Sequence, residues 1–444
     1  MVNDSKHFLV KELGTPSFPS PLNLSKRDGD QLANYVPNDE RVVLNTSLKE
    51  ICNEIEQGHV PLSFERAGPR EKIFFDPSKC KVGIVTCGGL CPGINDVIRA
   101  LVMQLSWWYR VKTIYGFRFG YLGMVKESKL QPLLLDADLV SDIHEKGGSI
   151  LGSSRGPQDI ERMVDYLMDY KINILFCIGG DGTLRGTQEI TDEILKRGLP
   201  ISVIGIPKTI DNDIQYIEKT FGFETAFSEA VEAIRAAHVE AKGGQYGIGM
   251  VKLMGRQSGY IAANAALASQ DVNFCLIPEC SFDLEGPNGL YHHLRTRLEN
   301  RGHAVIVVAE GVGQKYVQTN AKDASGNTKL GDIGTFLRDD IKRYFQSVDF
   351  PANIRYIDPS YIIRSAKTLP SDSIYCSQLA QNAVHAGMAG KTGMLVGIWN
   401  NQFTHVPIKI AIEQRKVLDI ESEFWLNVIE STGQPRMMQN NSPA

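Results

Sequence analysis

The apolar run Phe176-Cys177-Ile178 ends abruptly in Gly179-Gly180-Asp181-Gly182-Thr183. Further on, Ile201–Ile206 ends in the same way, in Pro207-Lys208-Thr209-Ile210-Asp211-Asn212-Asp213. Runs this short, rich in Ile, Val, Leu and Phe and closed by small or acidic residues, read as buried parallel strands. Such strands deliver their last residues to the carboxyl edge of an open sheet. A chain with several of them is restricted to an α/β architecture with its chemistry at strand ends.

The alternation begins at Lys81. Val82–Thr86 is strand-like, and a glycine-rich loop, Gly88–Gly93, leads into a helix from about Asn95 to Leu105. Ile172–Ile178, a helix from about Leu184 to Lys196, and Ile201–Ile206 repeat the unit. Thr225–Glu240 has helical spacing, and Ile248–Leu253, Cys275–Ile277, Ala304–Ala309 and Met394–Ile398 are further short strands. Because 444 residues exceed what one core usually supports, two mostly parallel sheets are expected. Residues 1–80 are polar, contain Pro16, Pro19, Pro21 and Pro37, and show no sustained period. They read as an extension wrapped on the surface, or a partner-binding arm. Ala321–Gly331 reads as a surface loop.

A net charge of −4 gives no general attraction for nucleic acid or anionic membrane, so an anionic substrate must be held by a few local cations. No apolar stretch approaches the ~20 residues of a membrane span. The first residues have neither a secretory core nor an acid-poor, arginine-rich transit pattern, so the cytosol is the expected location. The eight cysteines lack the spacing of a disulfide framework. Cys87 and Cys91 have no matching Cys/His pair at zinc-like spacing; redox sensitivity or simple packing accounts for them.

The loop Gly88-Gly89-Leu90-Cys91-Pro92-Gly93 joins a strand to a helix, where amides and the positive helix end attract anions. A tight turn needing positive φ also fits it, and it is neither a dinucleotide fingerprint nor a Walker A loop. Asp181, set among glycines, is the candidate Mg²⁺ ligand. Glycine at position 182 leaves room for a full nucleotide, whereas an acidic residue there would repel an α-phosphate. Thr209-Ile210-Asp211-Asn212-Asp213 provides one carboxylate as base and a second to tune it, though an Asp/Asn-rich turn has the same look. Lys208 either pairs with these carboxylates or contacts a transferring phosphate. Arg256, Arg355 and Arg364 carry the planar, permanent charge suited to a substrate phosphate.

In this order and spacing, Gly-Gly-Asp-Gly, Thr-Ile-Asp-Asn-Asp and Met254-Gly255-Arg256 resemble the phosphofructokinase family from about Lys81 to Val406. Cys87–Arg99, Pro207–Asp213 and Tyr361-Ile362-Ile363-Arg364 are most similar to its plant-type ATP-dependent members, with trypanosomatid ones next. The resemblance implies two doubly wound, Rossmann-like, mostly parallel-sheet α/β domains with an N-terminal extension, residues 1–80. The ATP-binding domain would be 81–222 plus about 363–412, and the sugar-phosphate domain about 223–362 plus 413–444. ATP would bind at Gly88, Gly89, Arg155, Gly156, Gly180, Asp181, Gly182 and Thr183, with Mg²⁺ on Asp181. Asp211 would be the base, with Thr209 and Asp213 beside it. Fructose 6-phosphate would contact Thr209, Ile210, Asp211, Met254, Gly255, Arg256, Glu310, Arg355, Tyr361, Ile362, Ile363 and Arg364. Tyr361 stands where bacterial members have histidine.

Two departures from the family pattern bear on this. Lys208 occupies a position that is glycine in bacterial ATP enzymes and lysine in pyrophosphate-dependent ones; the latter also carry aspartate at the position of Gly182. Gly247 replaces an arginine that in bacterial enzymes reaches a neighbouring subunit. The implied activity is ATP-dependent phosphorylation of fructose 6-phosphate in glycolysis by a cytoplasmic, allosteric homo-oligomer, tetramer or dimer. A pyrophosphate-dependent enzyme and a catalytically silent regulatory subunit are the alternatives.

Overall fold

The computed structural model describes residues 5–317, 321 and 329–440, so most of the expected loop Ala321–Gly331 lies outside the described residues. The chain divides into two compact units. One comprises Met1–Thr209, Ile214–Gly222 and Lys367–Arg415; the other comprises Ile210–Asp213, Phe223–Ala366 and Lys416–Ala444.

The first unit is built on a nine-stranded sheet. Its parallel centre runs Met394–Trp399, Ser202–Pro207, Ile174–Gly179, Lys81–Thr86 and Thr113–Phe117, side by side. Every residue of Ile174–Gly179 and Ser202–Pro207 is buried, as strands covered on both faces require. The mostly parallel α/β fold expected from the sequence is the one observed, in both units.

Residues 1–80 do more than wrap the surface. Ser63–Arg66 adds antiparallel to Gln402–Pro407 in the main sheet, and Arg41–Val43 adds beyond it. Phe64 is fully buried, and Glu65 sits in a buried ion network. Its Oε1 is 2.8 Å from both Arg70 Nη2 and Lys391 Nζ and 3.2 Å from His405 Nδ1. A four-residue strand is too short to carry a readable period, and its partner lies over three hundred positions away.

The second unit has a four-stranded parallel sheet in the order Phe274–Leu276, His303–Ala309, Gly247–Leu253, Asn353–Ile357. The helices Phe223–Lys242, Tyr260–Ser269, Leu290–Arg301 and Ile333–Ser347 pack on it. Its core is aliphatic, with Ile248, Met250, Val251, Leu253 and Val305–Ala309 essentially solvent-free.

Candidate active site

In the first unit, three strand ends build a glycine-lined cradle. Gly88, just past Lys81–Thr86, has φ 86°, and Gly93, the N-cap of the helix Ile94–Met103, has φ 97°. Both are left-handed positions that glycine adopts without steric penalty. The Lys208 ammonium donates to the Gly89 carbonyl at 2.7 Å, and the Ser153 hydroxyl donates to that of Gly88 at 2.6 Å. A Cβ built on Gly89 would stand 3.2 Å from Arg155 Nη2, and one on Gly180 would be 3.2 Å from the Lys208 carbonyl. Gly88, Gly89, Arg155, Gly180 and Lys208 therefore meet at one edge of the sheet. Gly156, at φ 100°, follows Arg155.

Gly180 is the N-cap of the helix Asp181–Lys196, so Asp181, Gly182 and Thr183 form its first turn. The helix thus starts three residues before the Leu184 expected from the sequence, because glycine's poor helix propensity hides the true start. The two glycines flanking the cap differ in kind. A Cβ on Gly179 would collide with the Thr183 side chain at 2.3 Å, whereas one on Gly182 meets no described atom within 4 Å. Packing therefore demands glycine at 179 and not at 182, and the open space beside the helix N-terminus suits an anion.

The Asp181 carboxylate lies 3.2 Å from Arg185 Nη2 and 3.3 Å from Arg415 Nη2. Neither arginine was picked out from the sequence. Arg185 was legible as an i,i+4 partner once the helix start is known, whereas Arg415 is brought in only by the fold. Among the described residues no group of three or more His, Cys, Asp or Glu is placed to hold a metal. A lone carboxylate nevertheless fits Mg²⁺, which commonly takes one or two carboxylates and completes its shell with waters and substrate phosphates. Cys87 and Cys91 are both buried, and the Cys91 thiol contacts the Phe221 carbonyl at 3.3 Å. Burial, foremost, pushes the Cys87 thiol far above its ordinary pKa, which makes it a poor nucleophile.

The Thr209–Asp213 segment divides between the units: Thr209, whose carbonyl accepts from the Thr220 hydroxyl at 2.7 Å, belongs to the first, and Ile210–Asp213 to the second. Asp211 is half-buried there, with its carboxylate oxygen Oδ1 closed off from solvent. Burial first, then Asp213 and Glu310, push its carboxyl up to about 7, while Arg364 and a hydrogen bond from the Arg256 backbone amide work the other way. The Ser258 hydroxyl donates to the Asp211 carbonyl at 3.1 Å. Parallel strands explain this convergence. Leu253 is in register with Ala309, so Met254-Gly255-Arg256 and Glu310 leave the sheet side by side, with the Glu310 amide donating to the Leu253 carbonyl at 2.9 Å. Gly255, at φ 128°, could bear no Cβ, which would fall 2.5 Å from the Ser258 carbonyl.

Arg364 comes from the short helix Ser360–Ser365, which buries Ile363 in the core and leaves Tyr361 and Ile362 exposed, at 83% and 69%. Arg355 is not brought to the cluster. It pairs in register with Gly249, four positions short of Leu253, and its Nε is 3.8 Å from Glu240. At ~3.3 Å per residue that is roughly 13 Å from the strand end, beyond an arginine's reach.

One unit thus presents an anion cradle at a helix N-terminus, and the other a buried carboxylate of raised pKa among arginines. Each feature by itself suits a phosphate-bearing small molecule. The chain belongs to the phosphofructokinase family, which matches residues 81–387. It is 52% identical to the ATP-dependent 6-phosphofructokinase of Borreliella burgdorferi over 85% of this chain and 86% of that one. It is 47% identical to the ATP-dependent 6-phosphofructokinase 5, chloroplastic, of Arabidopsis thaliana, over 90% of this chain and 76% of the relative. Among solved structures, the pyrophosphate-dependent phosphofructokinase of Marinobacter aquaeolei superposes with a TM-score of 0.65 at 19% identity, covering 80% of this chain and 91% of the other. At that identity it speaks for the fold alone.

Proposed function

We propose that this protein catalyses transfer of the ATP γ-phosphoryl group to O1 of fructose 6-phosphate, as an ATP-dependent 6-phosphofructokinase of glycolysis. The observation that carries the proposal is Asp211: a buried carboxyl poised near neutrality and set beside two arginines suits a general base for a sugar hydroxyl. Asp211 orients and deprotonates the hydroxyl, with Asp213 and Thr209 flanking it. Arg256 and Arg364, with Glu310 and the exposed Tyr361, hold the sugar phosphate. Gly88, Gly89, Arg155, Gly156 and Gly180–Thr183 receive the nucleotide phosphates on backbone amides and the helix N-terminus. Asp181 would hold Mg²⁺, which neutralises charge on the β- and γ-phosphates. No phospho-enzyme is required.

Arg355 keeps its phosphate-binding role only if it serves a second copy of the chain, which favours a homo-oligomer, tetramer or dimer. Allosteric control and a cytosolic location complete the proposal. Among the described residues no helix is long and apolar enough to cross a membrane.

A second reading, pyrophosphate as donor, is favoured by Lys208, whose ammonium lies in the cradle. Gly182 weighs against it, since the fold itself does not ask for glycine there. Steady-state assays of the purified chain with ATP and with pyrophosphate decide between them. Turnover with ATP and fructose 6-phosphate supports the proposal. Turnover with pyrophosphate alone overturns the choice of donor, and a folded, ligand-binding but inactive chain would make it a regulatory subunit.

A further inference from the structure

Two histidines of the second unit face each other. His238 lies near the end of the helix Phe223–Lys242, and His303 opens the strand His303–Ala309. Their Nε2 atoms are 3.3 Å apart and the ring centres 5.2 Å apart, so the rings meet by their nitrogen edges. The other end of that strand leads into Glu310, so the pair sits at the opposite edge of the sheet from the Glu310 cluster.

The outer nitrogens fix the tautomers. His238 Nδ1 is 3.1 Å from Asp271 Oδ1, and His303 Nδ1 is 3.2 Å from the Arg301 carbonyl oxygen. Carboxylate and carbonyl oxygens only accept, so each Nδ1 carries the proton. In the neutral rings both Nε2 atoms are then bare acceptors set against one another, an arrangement that needs a cation between them. The surroundings favour one. Asp271 is anionic, and Arg301 ends the helix Leu290–Arg301, so the negative dipole ends of two helices come together at the pair.

The distance decides which cation. N–H hydrogen bonds to oxygen span ~2.7–3.2 Å, so 3.3 Å is long for a shared proton. Two nitrogens held about 2.0–2.1 Å from a tetrahedral ion stand about 3.3–3.4 Å apart, which is the separation found. At the right angles of square-planar or octahedral coordination they would stand only about 2.9 Å apart, which disfavours Cu²⁺ and Ni²⁺.

We propose that His238 and His303 bind one tetrahedral Zn²⁺ through their Nε2 atoms, with water completing the shell. Asp271 and the Arg301 carbonyl orient the two rings from behind, as outer acceptors do for metal-bound histidines. The His238 side chain is 19% exposed, which leaves a way in for the ion and its waters. Arg297 and Lys242 also act on His303, so the site holds zinc less tightly than three or four protein ligands would and yields it to chelators.

The test is a zinc titration of the full chain against a colorimetric chelator, with Mg²⁺ in excess to occupy carboxylate sites. Co²⁺ serves in parallel as the spectroscopic probe. One equivalent of zinc should bind at micromolar concentration, and Co²⁺ should give the intense visible bands of a tetrahedral complex without sulfur-to-cobalt charge transfer. His238→Asn and His303→Asn should each abolish both signals. Asp271→Asn keeps both ligands and should weaken zinc binding roughly ten- to a hundred-fold. No uptake of micromolar zinc by the unaltered chain would leave the pair sharing a proton and overturn the proposal. An octahedral cobalt spectrum, a cysteine charge-transfer band, or binding undiminished in the histidine variants would overturn it equally.

Discussion

Arg364 is the strongest of the influences that hold the buried Asp211 carboxyl down, and it works against burial, Asp213 and Glu310. In the proposed function, the side chain that grips the sugar phosphate would therefore also set the base, tying acceptor binding to the protonation state of Asp211.

The first prediction follows from that opposition. Asp211 must be ionised to act as base, so kcat/KM for fructose 6-phosphate should rise with pH through about 7 on the acid side. Glu310→Gln removes a neighbour that raises the pKa and should move this limb to lower pH. Arg364→Ala removes one that lowers it and should move the limb to higher pH. The pH profiles of kcat/KM for fructose 6-phosphate in both variants check this; shifts of the same sign would rule out the assignment. Asp211→Asn should lose ~10²–10⁴ in kcat.

Arg364→Ala should also raise KM for fructose 6-phosphate well beyond that for ATP. A charge-assisted contact to phosphate is worth ~1.5–3 kcal/mol, or roughly ten- to a hundred-fold. Equal changes in both KM values would instead indicate a structural role.

Gly182→Asp should separate folding from function. The new carboxylate stands in the first turn of a helix, where an acidic residue stabilises by ~0.3–1 kcal/mol, and it replaces a poor helix former in open space. Thermal stability should hold or rise, while kcat/KM for ATP falls sharply. A carboxylate about 4 Å from the α-phosphate repels it by ~4 kcal/mol at an effective dielectric of ~20. Loss of both stability and activity would mean that the fold, after all, requires glycine at 182.

His385 supplies a pH dependence of stability. It is buried, and its Nδ1 meets the Tyr109 hydroxyl at 2.8 Å. Burial first, then Arg70 and His405, lowers its pKa from 6.5 to about 3. The folded state therefore favours the neutral ring and the unfolded state takes up the proton first. The stabilisation is fully present above 6.5 and is lost as pH falls towards 3, by about 1.4 kcal/mol per pH unit. Denaturant titrations across that window should show this slope, and it should flatten in His385→Phe.

Much of this protein was legible in its sequence. The apolar runs around Ile174–Gly179, Ser202–Pro207, Gly247–Leu253 and His303–Ala309 announce buried parallel strands, because a strand covered on both faces must be apolar throughout. The motifs that end them mark the strand edge where a parallel sheet gathers its ligands. What the sequence could not supply is distance. The burial that raises Asp211, the facing of Glu310 and Arg364, and the pairing of Arg415 with Asp181 all join residues far apart in the chain. The displacement of Arg355 from the strand end is a matter of register, and register is set by sheet pairing. Ser63–Arg66 is invisible as a strand because four residues carry no period, and its place in the sheet comes from pairing with the distant Gln402–Pro407. Local pattern determined which elements form and where the chemistry gathers. Only the tertiary structure, through burial and close approach of charges, decided what each side chain there is able to do.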